Sequence, residues 1–184
     1  MELDKAIKLR KSVKKFSDKK PDWREIIECI DSTRYAPRAG NNFTLKFILV
    51  DDKEIIKKIA KYSEQPFVEE VHYILVACSN PSRTVNSYGK RGEVYSRQQA
   101  GAAIENFLLK IQEKKLSTCW IGHFEDNLIK KLLKVPSNVN IEALFPIGYE
   151  LGKTTKRMKI ELDTILYFND YKNKKIKKPK RLEV

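Results

Sequence analysis

Histidine and cysteine are scarce in this sequence, and their scarcity excludes several kinds of active site. Only two histidines, His72 and His123, and three cysteines, Cys29, Cys78 and Cys119, occur among 184 residues. Their spacing matches no zinc-binding pattern, and it does not indicate a Ser-His-Asp or Cys-His nucleophile. Three widely spaced cysteines, each within an apolar pattern, predict buried reduced thiols rather than a disulfide framework.

Long hydrophobic segments are also missing. The longest apolar runs are residues 48–50 and 73–78, and both are far shorter than the roughly 20 residues that cross a bilayer. The apolar segment of a signal peptide does not follow the charged N-terminus. We therefore expect no membrane association and a cytoplasmic location.

Acidic residues number 24 against 37 basic ones, and the resulting net charge of +13 is compatible with nucleic-acid binding. Seven of the positive charges lie within residues 172–181 with no acid among them, so the rest of the chain carries only +6. Elsewhere lysine alternates with glutamate and aspartate, as on solvated helix faces. This distribution disfavours a nucleic-acid partner. The length favours one domain, residues 1–171, followed by a basic tail, residues 172–184.

A basic segment near the N-terminus is the first candidate binding feature. Residues 10–16 hold four cations and a hydroxyl, follow a predicted helix over residues 1–9, and include Val13 and Phe16 as apolar anchors. Arginine, lysine and serine side chains held by such anchors suit a phosphate. A solvated basic turn, favoured by the helix dipole, is the alternative. The candidate phosphate ligands are Arg10, Lys11, Ser12 and Lys14.

A loop and a strand end are the other candidate features. Residues 36–42 combine proline, glycine and two asparagines, and Gly40 permits a close approach that a side chain would block. This loop is able to receive a flat polar ring, although an ordinary turn is the alternative. A strand predicted over residues 117–121 ends in Gly122, where backbone N–H groups are exposed to a ligand.

Together these stretches resemble the nitroreductase family of FMN-dependent oxidoreductases. The matching stretches are residues 10–16, 35–41, 119–122 and 146–149, with a C-terminal block of Lys156-Arg157, Ile160-Glu161 and residues 167–169. The resemblance runs from about Leu3 to Asn169, nearly the whole chain.

The resemblance implies an α+β fold, a nitroreductase-like three-layer sandwich. In it a mixed, mostly antiparallel sheet of four to five strands is flanked by helices. It also implies a homodimer with FMN at the subunit interface. A helix predicted over residues 93–115 would run through that interface, and close packing within one subunit is the alternative. Residues 165–168 are predicted to form a strand that pairs with the neighbouring subunit, and residues 79–92 to form a loop.

The resemblance also implies roles for individual residues. The phosphate and ribityl chain of FMN would be held from both ends of the chain, with Lys11 joining the other cations or remaining solvated. Arg38 stands where the family typically has serine, and Phe43-Thr44 replaces the usual Gln-Pro. The cofactor-binding residues implied are Arg10, Lys11, Ser12, Lys14 and Arg157 for phosphate and ribityl, Pro37, Arg38, Ala39 and Asn41 in the ring loop, and the amides of Ile121 and Gly122 near flavin N5 and O4.

The implied activity is ping-pong oxidoreduction. NADH or NADPH would give a hydride to flavin N5, and an electron-poor acceptor such as a nitroaromatic or a quinone would then be reduced. A catalytic side chain is not expected, because the cofactor carries the chemistry. Two alternatives stay open from the residues: a basic nucleic-acid-binding module without enzymatic activity, and an FMN-binding protein without efficient turnover.

Overall fold

The computed structural model describes residues 1–155 and 158–175, and a four-stranded sheet lies at the centre of the part described. The three pairs of neighbouring strands are antiparallel. The second strand is buried along its whole length, as its nearly unbroken apolar sequence predicts for a central strand. The strands, in the spatial order β1-β2-β4-β3, are β1 (Leu45–Val50), β2 (Tyr73–Ser79), β3 (Ser117–Thr118) and β4 (Asn140–Gly148).

Helices cover both faces of this sheet. Successive residues of a strand point to opposite faces, so Leu75 and Ala77 of β2 belong to one core while Ile74 and Val76 belong to a second. The first core contains residues of α2 and α5, and the second contains residues of α3 and α6. The predicted α+β sandwich is confirmed. The helices are α1 (Leu3–Leu9), α2 (Trp23–Asp31), α3 (Lys53–Tyr62), α4 (Ser82–Tyr88), α5 (Arg91–Glu113), α6 (Asp126–Leu133) and α7 (Leu162–Ile165).

The helix α4 corrects the prediction of a loop over residues 79–92. Pro81, Gly89 and Gly92 were read as loop residues, whereas in the structure they delimit and pack a helix. Pro81 stands at the N-terminal boundary of α4, and Gly89 ends the helix with a φ of 57°, a left-handed conformation that glycine adopts without strain. Gly92 lets the start of α5 lie against the backbone of Thr84.

All three cysteines are free and buried, as predicted. Burial raises the pKa of Cys29 to about 12 and that of Cys78 to about 11. Both thiols therefore stay protonated at neutral pH, and thiols in that state are poor nucleophiles.

The chain divides into two compact units, Met1–Thr154 and Thr155–Val184. In the described part of the second unit, α7 ends at Ile165 and residues 166–168 form no strand, so the predicted strand over residues 165–168 is wrong for the single chain. A strand needs a hydrogen-bonded neighbour, and the family resemblance places that neighbour on another subunit. The domain boundary after residue 171 stays a prediction. Within residues 1–155 and 158–175, each helix is too short or too polar to cross a membrane.

Candidate functional site

The basic segment 10–16 is held against the end of the sheet by its two apolar residues. Val13 and Phe16 are buried, which confirms their predicted role as anchors. The Val13 N–H donates to the Thr118 carbonyl over 2.9 Å, and Phe16 forms an antiparallel bridge with Glu150. The segment therefore lies beside the last residue of β3 and the chain that follows β4.

Lys11 is engaged in a partly buried ion pair. Its Nζ lies 2.8 Å from Oε1 and 2.7 Å from Oε2 of Glu150, and 3.4 Å from the Thr154 carbonyl. Burial raises the pKa of Glu150, but hydrogen bonds from Lys11 and Thr154 outweigh it, so the pKa lies below its ordinary value. The pair stabilises the fold at neutral pH, and this contribution is lost as the pH falls through the lowered pKa. Lys11 therefore holds the segment in place and is the least free of its cations.

Ser12 and Lys14 lie beside Cys119, the residue that follows β3. Burial raises the pKa of the Cys119 thiol, while the Lys14 charge and a hydrogen bond with Ser12 act in the opposite direction. Both residues are exposed, and the Lys14 ammonium lies 5.5 Å from the centre of the Phe67 ring, an aromatic contact that leaves its N–H groups able to bind an anion. Arg10 makes a long contact, 3.7 Å from its Nε to Oε1 of the exposed Glu105. Such exposed pairs contribute little, so Arg10 is able to turn towards a stronger anion.

At the strand end, residues 119–122, the Ile121 N–H has an acceptor within the protein and the Gly122 N–H is open. β3 stops at Thr118, and Ile121 then forms an isolated bridge in which its N–H donates to the Leu144 carbonyl over 3.0 Å. The prediction that the Ile121 amide serves a ligand is corrected, because that N–H already has its acceptor. Gly122 is exposed, and among the hydrogen bonds of residues 1–155 and 158–175 its N–H donates to none.

These groups fit the phosphate and ring edge of a flavin mononucleotide. The Ser12 hydroxyl lies beside the Cys119 thiol and the Lys14 charge acts on the same thiol. Gly122 follows Cys119 by three residues, within about 11 Å of chain. A buried hydroxyl at the same strand end, Oγ1 of Thr118, has no hydrogen-bond partner in the described part of the chain. Cation, hydroxyl and amide donors within this span match the anionic and acceptor groups of such a ligand.

The predicted ring loop forms a tight turn over Ala39–Asn41. Gly40 and Asn41 are both left-handed, with φ values of 54° and 58°, a conformation open to glycine and tolerated by asparagine. A Cβ at Gly40 would lie 2.7 Å from the hydroxyl oxygen of Tyr88 on α4. The close approach that the sequence predicts at Gly40 is present, and the neighbour is a side chain of α4. Pro37, Arg38 and Asn41 are exposed, and Ala39 is half-buried.

Within one chain the loop and the basic segment meet α5 on different sides. The loop is hydrogen-bonded to the buried Gln99, whereas Arg10 contacts the exposed Glu105. From Gln99 to Glu105 the helix advances six residues, which correspond to a rise of about 9 Å and a rotation of about 240°. The structure thus brings Arg10, Ser12, Lys14 and Gly122 to one end of the sheet and sets the loop residues apart from them. Arg157 lies outside the described residues.

Sequence reasoning missed the contacts that hold the loop, which come from Tyr88, Ser96 and Gln99. Tyr88 lay within the segment read as a loop. Ser96 and Gln99 are buried and lie on the side of α5 that continues into Ala100 and Ala103. Polar residues on the apolar side of a helix were the available signal, because a buried amide requires a hydrogen-bonding partner.

The helix-covered antiparallel sheet of this chain is the fold of solved nitroreductase-family structures. The model of the Nitroreductase family matches residues 7–70 and 61–149. The chain belongs to the nitroreductase family.

Similar proteins carry several activities within this family. The chain is 25% identical over 158 residues to the iodotyrosine deiodinase of Thermotoga neapolitana, covering 77% of this chain and 85% of the relative. It is 21% identical over 187 residues to the FMN reductase [NAD(P)H] of Bacillus subtilis, covering 94% and 75%.

Solved structures of family members superpose on most of the chain. A nitroreductase family protein of Clostridium novyi NT matches with a TM-score of 0.76 and 29% identity over 94% of this chain and 96% of that one. An FMN-dependent nitroreductase of Clostridium difficile R20291 matches with a TM-score of 0.78 and 23% identity, covering 90% and 98%. The second likeness, at this identity, supports the fold alone.

Proposed function

We propose that this protein binds FMN and uses it as an NAD(P)H oxidoreductase, in ping-pong order, on electron-poor acceptors such as nitroaromatics and quinones. The observation that carries this function is the hydrogen bond from the Val13 N–H to the Thr118 carbonyl, which sets the segment of Ser12 and Lys14 beside a strand end whose Gly122 amide is open. Family membership and the names of its relatives, an FMN reductase among them, support the same cofactor and the same reaction class.

In this proposal, cations and a hydroxyl hold the FMN phosphate and ribityl chain. The ring lies between the strand end and the turn over Ala39–Asn41. Lys11 stays paired with Glu150 and supports the segment from behind. The residues proposed for phosphate and ribityl are Arg10, Ser12, Lys14 and Arg157, and those for the ring are Pro37, Arg38, Ala39, Asn41 and the Gly122 amide.

Bound FMN would supply hydride chemistry through its N5 atom, first with NADH or NADPH and then with the acceptor. The protein's own residues would bind, orient and stabilise charge. The Gly122 N–H and nearby cations are oriented donors of the kind that stabilise negative charge on a ring edge. Arg38, where serine is typical of the family, adds a cation on the ring loop, which favours acceptors that carry a negative charge.

A homodimer belongs to the same proposal. In a single chain the loop and the basic segment meet different sides of α5, so one ring would contact both if each came from a different subunit. Large apolar side chains along the first helices are exposed in the chain, although their helical spacing is typical of a buried face. On α1, Leu3 is 64% exposed and Ile7 50%, and on α2, Trp23 is 48% exposed and Ile27 45%. Exposed apolar surface of this kind is typical of subunit interfaces.

We expect the double substitution Leu3→Glu with Ile7→Glu to convert a dimer into a monomer, because it places charges on the proposed interface. Sedimentation would report the change from twice the chain mass of 21.5 kDa to that mass. The matched control is Lys5→Glu with Lys8→Glu, which alters charge on exposed positions of the same helix. A monomeric wild-type protein, or a double variant that sediments like the control, would exclude this interface.

The decisive test of function is one absorbance spectrum before and after NADH or NADPH. We expect purified protein supplemented with FMN to retain about one flavin per chain after gel filtration, to bleach anaerobically with NAD(P)H, and to recover its colour with a nitroaromatic, a quinone or a halogenated aromatic. Retained colour without bleaching would indicate an FMN-binding protein without turnover. A colourless protein that binds nucleic acid with steep salt dependence would contradict the proposed function.

A further inference from the structure

A buried polar network connects the ring loop to α5. The side-chain oxygen of Gln99, Oε1, accepts hydrogen bonds from the Thr44 N–H over 2.7 Å and from the Thr44 hydroxyl over 2.8 Å. The amide nitrogen of Gln99 donates to the Asn42 carbonyl over 2.9 Å, and the Ser96 hydroxyl donates to Oγ1 of Thr44 over 3.0 Å. Thr44, Ser96 and Gln99 are each at least 95% buried.

Gln99 therefore bonds to two residues of the segment that follows the ring loop. It accepts from Thr44 and donates to Asn42, the residue directly after the left-handed pair Gly40 and Asn41. Hydrogen bonds made away from water are costly to leave unmade. The network thus restrains the backbone on the C-terminal side of the turn, while Tyr88 packs against Gly40 on the other side.

The network also gives a physical reason for threonine at position 44. Proline, which the family typically has there, carries neither an N–H nor a hydroxyl. With proline at this position, Oε1 of Gln99 would lose both of its donors inside the protein. Proline restrains a loop by fixing its own φ, whereas this chain restrains the same loop from α5 through two donors on Thr44.

We infer that Gln99 is a positioning residue for the FMN ring, holding the Asn41 loop through Thr44 and Asn42; the role in FMN binding rests on the proposed function. Gln99 does not touch the ring. It sets the conformation of the loop before the cofactor arrives, and a preorganised loop gives tighter binding because less ordering remains to be done.

The test compares Gln99→Met with Gln98→Met. Methionine resembles glutamine in size and cannot form these hydrogen bonds. Gln98 is exposed on the neighbouring position of α5, so it controls for composition and helix propensity. Hydrogen exchange of amides 38–44 in FMN-free protein is expected to rise about tenfold or more in Gln99→Met and to stay unchanged in the control. The FMN dissociation constant is expected to rise by about tenfold.

Gln99→Glu supplies the conservative rescue. A protonated carboxyl accepts from Thr44 and donates to the Asn42 carbonyl, whereas a carboxylate accepts only. Burial raises the pKa of such a carboxyl. The FMN affinity of the Gln99→Glu variant, divided by that of the wild type at the same pH, is therefore expected to be near one at pH 5 and about tenfold lower at pH 8. The melting temperature without FMN, measured for every variant, identifies a change that only weakens the fold.

The outcomes distinguish a failure of the inference about Gln99 from a failure of the proposed function. Unchanged exchange of amides 38–44 in Gln99→Met would contradict the holding role of Gln99. Raised exchange with unchanged FMN affinity, or a Gln99→Glu affinity that stays about tenfold below that of the wild type at pH 5, would contradict its role towards the ring. A wild-type protein that binds no FMN would contradict the proposed function and the role towards the ring, while hydrogen exchange alone would still decide whether Gln99 holds the loop.

Discussion

Gly92→Ala is expected to destabilise the protein by about 3 kcal/mol or more. A Cβ at this position would lie 2.3 Å from both the carbonyl carbon and oxygen of Thr84 and 2.4 Å from the Val85 nitrogen. These are backbone atoms of α4, which cannot move aside by rotating a side chain. We expect α4 to be displaced and the urea midpoint to fall, with Tyr88 withdrawn from Gly40.

Gly101→Ala is the matched control, because this glycine lies in the same helix. A Cβ there meets no atom of residues 1–155 and 158–175 within 4 Å, and alanine favours a helix interior by roughly 0.5–1 kcal/mol over glycine. Its stability as a monomer is therefore expected to be unchanged or slightly higher. Equal urea midpoints for the two variants would show that α4 does not pack against Gly92.

The second large effect is expected at the phosphate site. Ser12→Ala with Lys14→Ala should weaken FMN binding by about 100-fold or more, since a hydrogen bond to a charged group contributes about 1.5–3 kcal/mol. Both side chains are exposed beside Cys119, so the fold should survive their removal. Fluorescence titration of the FMN-free protein with FMN measures the change. Riboflavin, which keeps the ribityl chain but lacks the phosphate, should lose far less affinity than FMN on the double substitution.

Lys15→Ala controls for the loss of a nearby charge. This lysine is exposed in the same segment, and its structural contact, the carbonyl that accepts from the Leu151 N–H over 3.0 Å, survives the substitution. We expect FMN affinity within about threefold of the wild type, since an unpaired surface charge acts weakly through water. Equal losses of FMN affinity in the double variant and in Lys15→Ala would mean that these side chains attract FMN only through their general positive charge.

The strands and most helices could be predicted because their signals are local. The sequence of residues 45–50 predicts a strand, and β1 has these bounds, Leu45–Val50. The apolar run over residues 73–78 predicts a central strand, and β2 is buried along its length. Acids among residues 51–54 predict the start of a helix, and the side chain of Asp52 caps α3 by accepting from the N–H groups of Glu54 and Ile55. Periodicity and capping act within a few residues, so a linear reading detects them.

The errors occurred where a residue's partner lies far along the chain. The sequence places Gly92 in a loop, whereas in the structure this glycine lets α5 pack against α4. It predicts an open Ile121 amide, whereas the Leu144 carbonyl of β4 accepts that N–H. It groups Lys11 with the other cations, whereas the carboxylate that pairs with Lys11, Glu150, lies 139 residues away.

By itself the sequence determined the family, the order of the elements and the types of residue that face a ligand, because these depend on local pattern and chemistry. Only the tertiary structure decided which of those groups are free. It paired Lys11, occupied the Ile121 amide, left Ser12, Lys14 and Gly122 open, and connected Thr44 to Gln99. A donor is available to a ligand only if folding brings no acceptor to it, and the separation of two residues along the chain does not show whether they meet.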